Sequence, residues 1–465
     1  MVNNINTEDI KNKIYQKFIS PTKNNNEEYI GVEIEVPILN LNKDPVDFNV
    51  VHKVTELFKN KFPSFDVDGI DYDGNICSLK NKDNGDILCY DCSYNNIEFA
   101  MGKEKELFSI NERFTEYYKF INEEFEKRNH TLTGMGINPY WKYNLKEPIP
   151  NERYLMLYHH LKSYPKYNDI MYFHDYPEYG LFSSASQVQL DVPYDELLET
   201  INTFSKLEPI KAILFSNSVF LGVNEDYLCF RDIFWENSTH GINSQNIGMY
   251  NFEFKNISQL LSYLSSLNIY SVVRDGVYIN FTSMSLYEYF SKDEITGEYY
   301  DNGEYKTIKF TPSLDDIDYV RSFKFIDVTF RGTIEYRSVC TQPIYASMSV
   351  PAFHVGLKHK LQEVSEVIFN SGLYDNAYSP TELRKLFIKK DLPKFISEDK
   401  LYDLCKDILD LAFQGLKERN YGEEVFLKPI YENIKNRTNP AKRLLSLLDE
   451  NISLEEIIKE YGSLE

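Results

Sequence analysis

Alternation of apolar and polar residues predicts the first strand of the chain over residues 29–36. The apolar residues would share one face of this strand, and Glu33 and Glu35 the other, because successive side chains of a strand point to opposite sides of its sheet. A sheet built on this strand would therefore carry an acidic row on one face.

Three later segments show the same alternation and extend the polar face. Their polar positions are Asn96 and Glu98 in the first, Gln187, Gln189 and Asp191 in the second, and Asp327, Thr329, Arg331, Thr333, Glu335 and Arg337 in the third. The third segment lies within residues 324–340, which we predict to be a single long strand with all these polar side chains on one side.

Segments with helical periodicity lie between these strands and make up the last part of the chain. Apolar residues recur every three or four positions over residues 107–125, 152–161 and 195–207, with another strand expected at 132–136. The pattern predicts an α+β fold with a largely antiparallel sheet. We expect a polar and helical lead-in at residues 1–28, a catalytic α+β domain at 29–350 and a helical region at 351–465 packed on the same domain.

The polar strand faces have two interpretations. An antiparallel sheet with one solvated face often alternates in this way. The positions named above, however, are rich in carboxylates, carboxamides and arginines and include no lysine. Mg²⁺ prefers oxygen ligands and is usually shared with phosphates, so the same face could hold metal and nucleotide phosphates.

Composition narrows the choice of partners. With 42% hydrophobic and 26% charged residues the chain is typical of a globular protein, and a net charge of -21 disfavours nucleic acid and anionic membranes. No apolar run is long enough to span a bilayer, and the first residues do not resemble a signal peptide, so we expect a cytoplasmic protein, a monomer or homodimer, that acts on small molecules.

A search for short motifs argues against several kinds of active site. The chain has no GxxxxGK[ST] phosphate-binding loop and no HExxH zinc motif. Cys89 and Cys92 form a CxxC that we interpret as reduced structural thiols, with a redox role as the alternative. His159 and His160 are adjacent and cannot share one helix face, which favours structural roles for both.

The same polar segments resemble the glutamate–cysteine ligase family of the plant and proteobacterial type, within the carboxylate–amine ligase group. The segments are YIGVEIE at residues 29–35, NIEFAMG at 96–102, GMGINPYW at 134–141, QVQLD at 187–191 and GTIEYR at 332–337. They occur in the family's order, and the resemblance extends from about residue 29 to about residue 460.

The resemblance implies a glutamine-synthetase-like fold, in which a curved antiparallel sheet forms a funnel, and an ATP-dependent ligation. The γ-carboxylate of glutamate would be phosphorylated by ATP, and an amine, by default that of cysteine, would attack the acyl phosphate. By resemblance, Mg²⁺ would be held by Glu33, Glu35, Glu98, Gln187 and Glu335. The substrates would contact Arg231, Trp235 and Gln189, and ATP would contact Arg331 and Arg337, with Arg231, Arg331 and Arg337 as the catalytic residues.

One departure from the family concerns the acceptor. After Trp235 the chain reads Glu-Asn-Ser-Thr-His-Gly at residues 236–241, where the plant-like pattern has Asp-Arg-Thr-Gly. A related ligase with a different acceptor amine is therefore an alternative. Two others are a homologue that binds nucleotide or amino acid without catalysis, and a kinase-like enzyme that phosphorylates a small carboxylate or guanidine.

Overall fold

The computed structural model describes residues 5–465. The strands are β1 (Ile30–Asn40), β2 (Phe65–Ile70), β3 (Ile76–Asn81), β4 (Ile87–Tyr90), β5 (Asn96–Glu104), β6 (His130–Leu132), β7 (Ser186–Asp191), β8 (Ile247–Gly248), β9 (Asn268–Arg274), β10 (Val277–Ser285), β11 (Ile295–Asp301), β12 (Glu304–Phe310), β13 (Phe323–Lys324), β14 (Ile326–Val328) and β15 (Thr333–Tyr336).

The helices are α1 (Thr7–Ile14), α2 (Phe48–Lys61), α3 (Leu107–Glu126), α4 (Glu152–Leu161), α5 (Leu197–Phe215), α6 (Arg231–Glu236), α7 (Ile257–Leu264), α8 (Leu286–Phe290), α9 (Ser349–Lys358), α10 (Leu361–Asn370), α11 (Pro380–Phe387), α12 (Glu398–Arg419), α13 (Lys428–Lys435), α14 (Pro440–Asp449) and α15 (Leu454–Tyr461). Among the described residues, no helix has both the length and the apolar character needed to cross a membrane.

One large antiparallel sheet organises the molecule. Its strand order is β14-β15-β7-β1-β5-β4-β3-β2, and β6 pairs with the far end of β1. A smaller sheet has the order β12-β11-β10-β9, and β13 pairs in parallel with β8. The predicted α+β class with a largely antiparallel sheet and flanking helices is confirmed.

The apolar face of the large sheet forms the main core with helices from both halves of the chain. Phe99 of β5 packs against Phe114 of α3, with ring centroids 5.3 Å apart. Phe204 of α5 lies 4.5 Å from Tyr336 of β15, and α9 also packs on β7 and β1. Since this face is covered, the opposite face of the central strands is the one that carries the polar rows.

The prediction of one strand over residues 324–340 was wrong, because the chain reverses within it. The backbone N–H of Thr329 donates to the carbonyl of Thr333 at 2.9 Å, and Gly332 adopts φ +77°, so β14 and β15 form a hairpin. A tight hairpin preserves alternation on both of its arms, so the pattern alone cannot distinguish it from one strand. Asp327 and Glu335 consequently lie opposite each other, and Arg331 lies in the turn.

The N-terminal segment fixes the tip of this hairpin. The side-chain amide of Asn25 donates to the Arg331 carbonyl at 2.7 Å. A Cβ placed on Gly332 would lie 2.6 Å from the carbonyl carbon of Pro21 and 2.8 Å from the backbone nitrogen of Thr22. Only glycine fits here, since the position combines a left-handed backbone with direct contact to another segment.

The strand expected over residues 132–136 is shorter and ends at Leu132. Beyond Leu132 the backbone no longer pairs with a neighbouring strand. Gly134 donates to the carbonyl of Tyr461, the last residue of α15, at 3.1 Å, and Gly136 donates to that of Asn217 at 2.8 Å. A Cβ on Gly134 would lie 2.3 Å from the carbonyl oxygen of Gln342. The glycines therefore serve close backbone packing here.

Candidate active site

The register of the central strands brings the predicted site residues onto one face. The pairs across the sheet are Asp327 with Glu335, Glu335 with Gln189, Gln187 with Glu33, and Glu35 with Glu98. Directly opposed residues of antiparallel strands have their Cβ atoms about 4.5–5.5 Å apart on the same face. The residues for which the sequence predicted a metal site thus form neighbouring rows on β1, β5, β7 and β15.

Hydrogen bonds from Gln189 join two of these carboxylates. Its side-chain nitrogen donates to Glu33 Oε1 at 3.0 Å and to Glu335 Oε1 at 3.2 Å. The amide oxygen of the same side chain accepts from Arg331 at 3.2 Å. Gln189 therefore connects the acidic row to the arginine at the hairpin tip.

A second carboxamide holds Glu35. Gln187 donates from its side-chain nitrogen to Glu35 Oε1 at 2.9 Å, and the backbone N–H of Ala185 donates to Glu35 Oε2 at 2.7 Å. The side-chain oxygen Oε1 of Gln187 is buried and has no partner among residues 5–465. Buried polar atoms are normally paired, so this oxygen is available to a ligand.

The pKa values of the carboxylates on this face are raised by burial and by neighbouring carboxylates. Burial, followed by the charge of Glu335, raises the pKa of Glu33 to about 7. Burial and the charge of Asp91 raise the pKa of Glu35 to about 8, and burial and Glu33 raise the pKa of Glu98 well above its usual range. Burial and neighbouring negative charge both disfavour ionisation of these carboxylates, and a bound cation would oppose that effect.

Within the part of the chain that the structure describes, no three His, Cys, Asp or Glu side chains are grouped so that they could hold a metal ion as they stand. The chemistry of the donors nevertheless fits Mg²⁺. They are carboxylate and carboxamide oxygens, the ligands that this ion prefers, and one of them is the unpaired oxygen of Gln187. Glu33 and Glu98 are only half-buried, so solutes can reach the row.

Arginines border the acidic rows. Arg337 donates to Glu335 Oε2 at 2.7 Å. Burial opposes its charge, but Glu335 and Asp327 raise the pKa of Arg337, so the guanidinium stays charged. Arg231, at the start of α6, donates to the Arg337 carbonyl at 3.1 Å, and its guanidinium lies 5.7 Å from the Trp235 ring centroid. The structure therefore places Arg231, Arg331 and Arg337 around one polar face.

Sequence reasoning missed Asp91 and Arg153. Asp91 follows β4, and its charge raises the pKa of both Glu35 and Glu98. Arg153 lies in the first turn of α4, and its charge is the largest effect that opposes burial at Asp91. No described residue forms a hydrogen bond or ion pair with the Arg153 guanidinium. Asp91 lies within the CxxC motif, and that motif indicates a role for its thiols rather than for the carboxylate between them.

All the cysteines are free thiols. Cys89 lies opposite Glu98 across β4 and β5, and Cys92 is buried. Burial raises the pKa of both thiols well above the ordinary value, which suits inert thiols more than reactive ones.

Comparison with known proteins finds a solved structure with a similar fold. The fold is similar to that of a crystal structure of glutamate–cysteine ligase from Francisella tularensis in complex with AMP, with a TM-score of 0.51 at 10% identity, covering 94% of this chain and 88% of that one. This likeness shows a shared fold.

Sequence comparison finds relatives that are glutamate–cysteine ligases. The chain is 25% identical over 326 residues to the chloroplastic glutamate–cysteine ligase of Solanum lycopersicum, covering 68% of this chain and 57% of that protein. It is 24% identical over 323 residues to the chloroplastic glutamate–cysteine ligase A of Oryza sativa subsp. indica, covering 68% and 61%. These alignments span about three fifths of the length of the curated relatives. No family model matches the chain. The resemblance to the glutamate–cysteine ligase family is thereby confirmed.

Proposed function

We propose that the protein is a Mg²⁺- and ATP-dependent ligase that joins the γ-carboxylate of glutamate to an amine through an acyl phosphate, with cysteine as the leading acceptor. The observation that carries the proposal is the set of neighbouring carboxylates bordered by arginines on one face of the sheet. The family similarity and the AMP complex of the structural neighbour support the same reaction and the use of ATP.

The metal-binding role falls on the oxygen donors of the central strands. These are Glu33, Glu35, Glu98, Gln187 and Glu335, to which the structure adds Asp91 as a candidate. Bound Mg²⁺ would neutralise the phosphates of ATP, which an acidic face cannot otherwise accept.

Arginines on this face would hold the anionic groups that react. Arg337 lies beside Glu335, and Arg331 reaches the row through Gln189, so both are placed to neutralise phosphoryl oxygens. Arg231 is buried next to Trp235 and would bind a carboxylate of the donor. Glutamate and ATP would thus be oriented by neighbouring arginines on the same polar face.

The proposed reaction explains why one face of the sheet would bind both cations and phosphates. A carboxylate resists attack by an amine because oxide is a poor leaving group, whereas phosphate is a good one. The enzyme therefore needs few reacting side chains and many that position and neutralise charge, and the described face offers the second kind.

The test is release of ADP by the purified protein. We expect release only when Mg²⁺, ATP, glutamate and an acceptor amine are all present, in a panel that contains cysteine and other amines. Product mass separates an amide from a phosphorylated acid, and thus a ligase from a kinase-like enzyme. Binding of Mg²⁺ and ATP by calorimetry with no turnover under any acceptor would contradict the proposal and favour a non-catalytic homologue.

A further inference from the structure

The chain contains the dipeptide Asn-Gly twice, in nearly the same local sequence. Residues 83–86 read Asp-Asn-Gly-Asp, and residues 301–304 read Asp-Asn-Gly-Glu. Asparagine before glycine is especially prone to deamidation, because glycine has no side chain to hinder attack by its own backbone nitrogen on the asparagine amide. Since the flanking residues match so closely, a difference in reactivity between the two copies must come from the fold.

Hydrogen bonds hold the first copy, Asn84-Gly85, in its turn. The backbone N–H of Gly85 donates to the Asn81 carbonyl at 2.9 Å. The side-chain oxygen Oδ1 of Asn84 accepts from the backbone N–H of Asp86 at 2.9 Å, and both residues of the dipeptide are half-buried. The backbone nitrogen that would attack and the side-chain carbonyl that it would attack are therefore each held by another group.

The second copy, Asn302-Gly303, is open at the tip of the β11–β12 hairpin. Both residues are exposed and have left-handed backbones, with φ +49° and +96°. Among residues 5–465, neither the Gly303 N–H nor Asn302 Oδ1 forms a hydrogen bond, while the Asn302 side-chain nitrogen donates to Asp301 at 2.8 Å. A Cβ on Gly303 would meet no atom within 4 Å beyond its chain neighbours, so the turn is not packed against another segment.

We propose that Asn302 is a site of non-enzymatic deamidation and that the fold protects Asn84 from the same reaction. The Gly303 backbone nitrogen loses its proton and attacks the side-chain carbonyl carbon of Asn302. The new C–N bond closes a succinimide ring, and the side-chain nitrogen of Asn302 takes up a proton and leaves as ammonia. Water then opens the ring at either carbonyl, which yields aspartate or isoaspartate, and no oxidant or reductant takes part.

This modification loosens the contact between the hairpin and α4. The Tyr305 hydroxyl donates to the Leu155 carbonyl at 2.8 Å, and the Tyr305 ring stacks on His159 with ring centroids 3.9 Å apart. Isoaspartate lengthens the main chain, which a tight two-residue turn cannot absorb without a shift of its strands, and both products add a carboxylate beside Asp301. Because α4 carries Arg153 in its first turn, the change reaches the border of the candidate site.

Peptide mapping by mass spectrometry tests the assignment on the full chain. The purified protein is incubated at neutral and at mildly alkaline pH, and deamidation of Asn302 and Asn84 is followed over time. Two hydrogen bonds must open before Asn84 can react, so its rate should be about 5- to 150-fold lower than that of Asn302. Both rates should rise with pH, since the attacking nitrogen must lose its proton, and isoaspartate should accompany aspartate.

Two controls separate the effect of the fold from that of the sequence. In the urea-unfolded chain the two sites should deamidate at similar rates, because the protecting hydrogen bonds are gone. Asn302→Gly is the matched variant, since glycine adopts the same positive φ and has no amide to lose. After incubation, hydrogen exchange should be faster in β11, β12 and the start of α4 of the unaltered chain, whereas incubated Asn302→Gly should exchange like fresh protein.

Each outcome decides one step of the inference. Deamidation of Asn84 as fast as that of Asn302 in the folded chain would overturn the proposal, and so would aspartate without isoaspartate, which indicates direct hydrolysis. A difference in rate that persists in urea would show that the turn does not protect Asn84. Unchanged hydrogen exchange after conversion of Asn302 would refute the effect on α4. None of these results depends on the proposed ligase activity.

Discussion

Replacement of Arg384 tests whether the C-terminal helices hold Arg231, the proposed donor-binding residue, in place. Arg384, on α11, donates to both carboxylate oxygens of Asp232 at 2.7 and 3.1 Å and to Glu208 Oε2 at 2.9 Å. All these side chains are buried, and Glu208 also accepts from Lys211 at 2.6 Å. Asp232 is the residue after Arg231, so this network anchors α6.

In Arg384→Met the Asp232 carboxylate would stay buried, and among the described residues only the Cys229 thiol, 3.3 Å away, would remain as its donor. Removal of one partner from a buried ion pair costs about 3–5 kcal/mol. The unfolding entropy of a chain this long corresponds to about 1 kcal/mol per degree, so the melting temperature should fall by about 3–5 °C. The added freedom of α6 should also raise the KM for glutamate more than that for ATP.

Lys406→Met is the control, because Lys406 pairs with Asp410 at 2.6 Å on the surface of α12. This exposed pair should contribute less than about 1 kcal/mol. Thermal denaturation of the two variants, with initial rates against glutamate, measures both effects. If Arg384→Met melts no lower than Lys406→Met, the network does not anchor α6. Addition of Asp232→Asn should recover part of the loss, since it removes the unpaired charge.

Further predictions concern the site and its supports. Glu33→Gln should lower turnover at least about 10²-fold with little change in melting temperature, and wild-type rates would refute the metal assignment. Arg231→Lys should weaken glutamate binding roughly 5- to 150-fold but spare ATP, since lysine lacks the planar two-point contact. Gly332→Ala should destabilise the protein and slow turnover, whereas Gly276→Ala, which has a similar φ of +83° but open space around its Cβ, should have a smaller effect. Burial lowers the pKa of Lys324 from 10.5 to about 7. Between these two pH values the unfolded chain binds more protons than the folded chain, so the free energy of unfolding rises with pH. Urea denaturation from about pH 8 to about pH 10 should show this rise, and Lys324→Met should flatten it.

The central strands could be predicted because their alternation is local. In β1, β5 and β7 polar side chains alternate with apolar ones, and the positions of Glu33, Glu98 and Gln187 on one face follow directly from that pattern. Their pairing into neighbouring rows depends on strand order and register. Those are set by long-range contacts that a single sequence does not display.

The smaller sheet was missed although a signal for it exists. Asp275-Gly276 and Asn302-Gly303 all have positive φ and form the tight turns of two hairpins, a strong local indication of paired strands. β12 is largely exposed, so its residues do not show the apolar alternation that indicates a strand. Turn chemistry would have been the better guide in this part of the chain.

The candidate site depends on separate parts of the chain for its separate chemical tasks. Central strands supply the carboxylates, whereas Arg331 depends on the hairpin tip that the N-terminal segment encloses. Arg231 depends on α6, whose next residue, Asp232, is tied to α11 by Arg384. Carboxylates that repel one another can stay on one sheet because the backbone ladder holds them regardless of charge. The arginines need specific partners from the two ends of the chain, so substitutions far from the acidic rows should alter substrate binding before they alter the proposed metal-binding face.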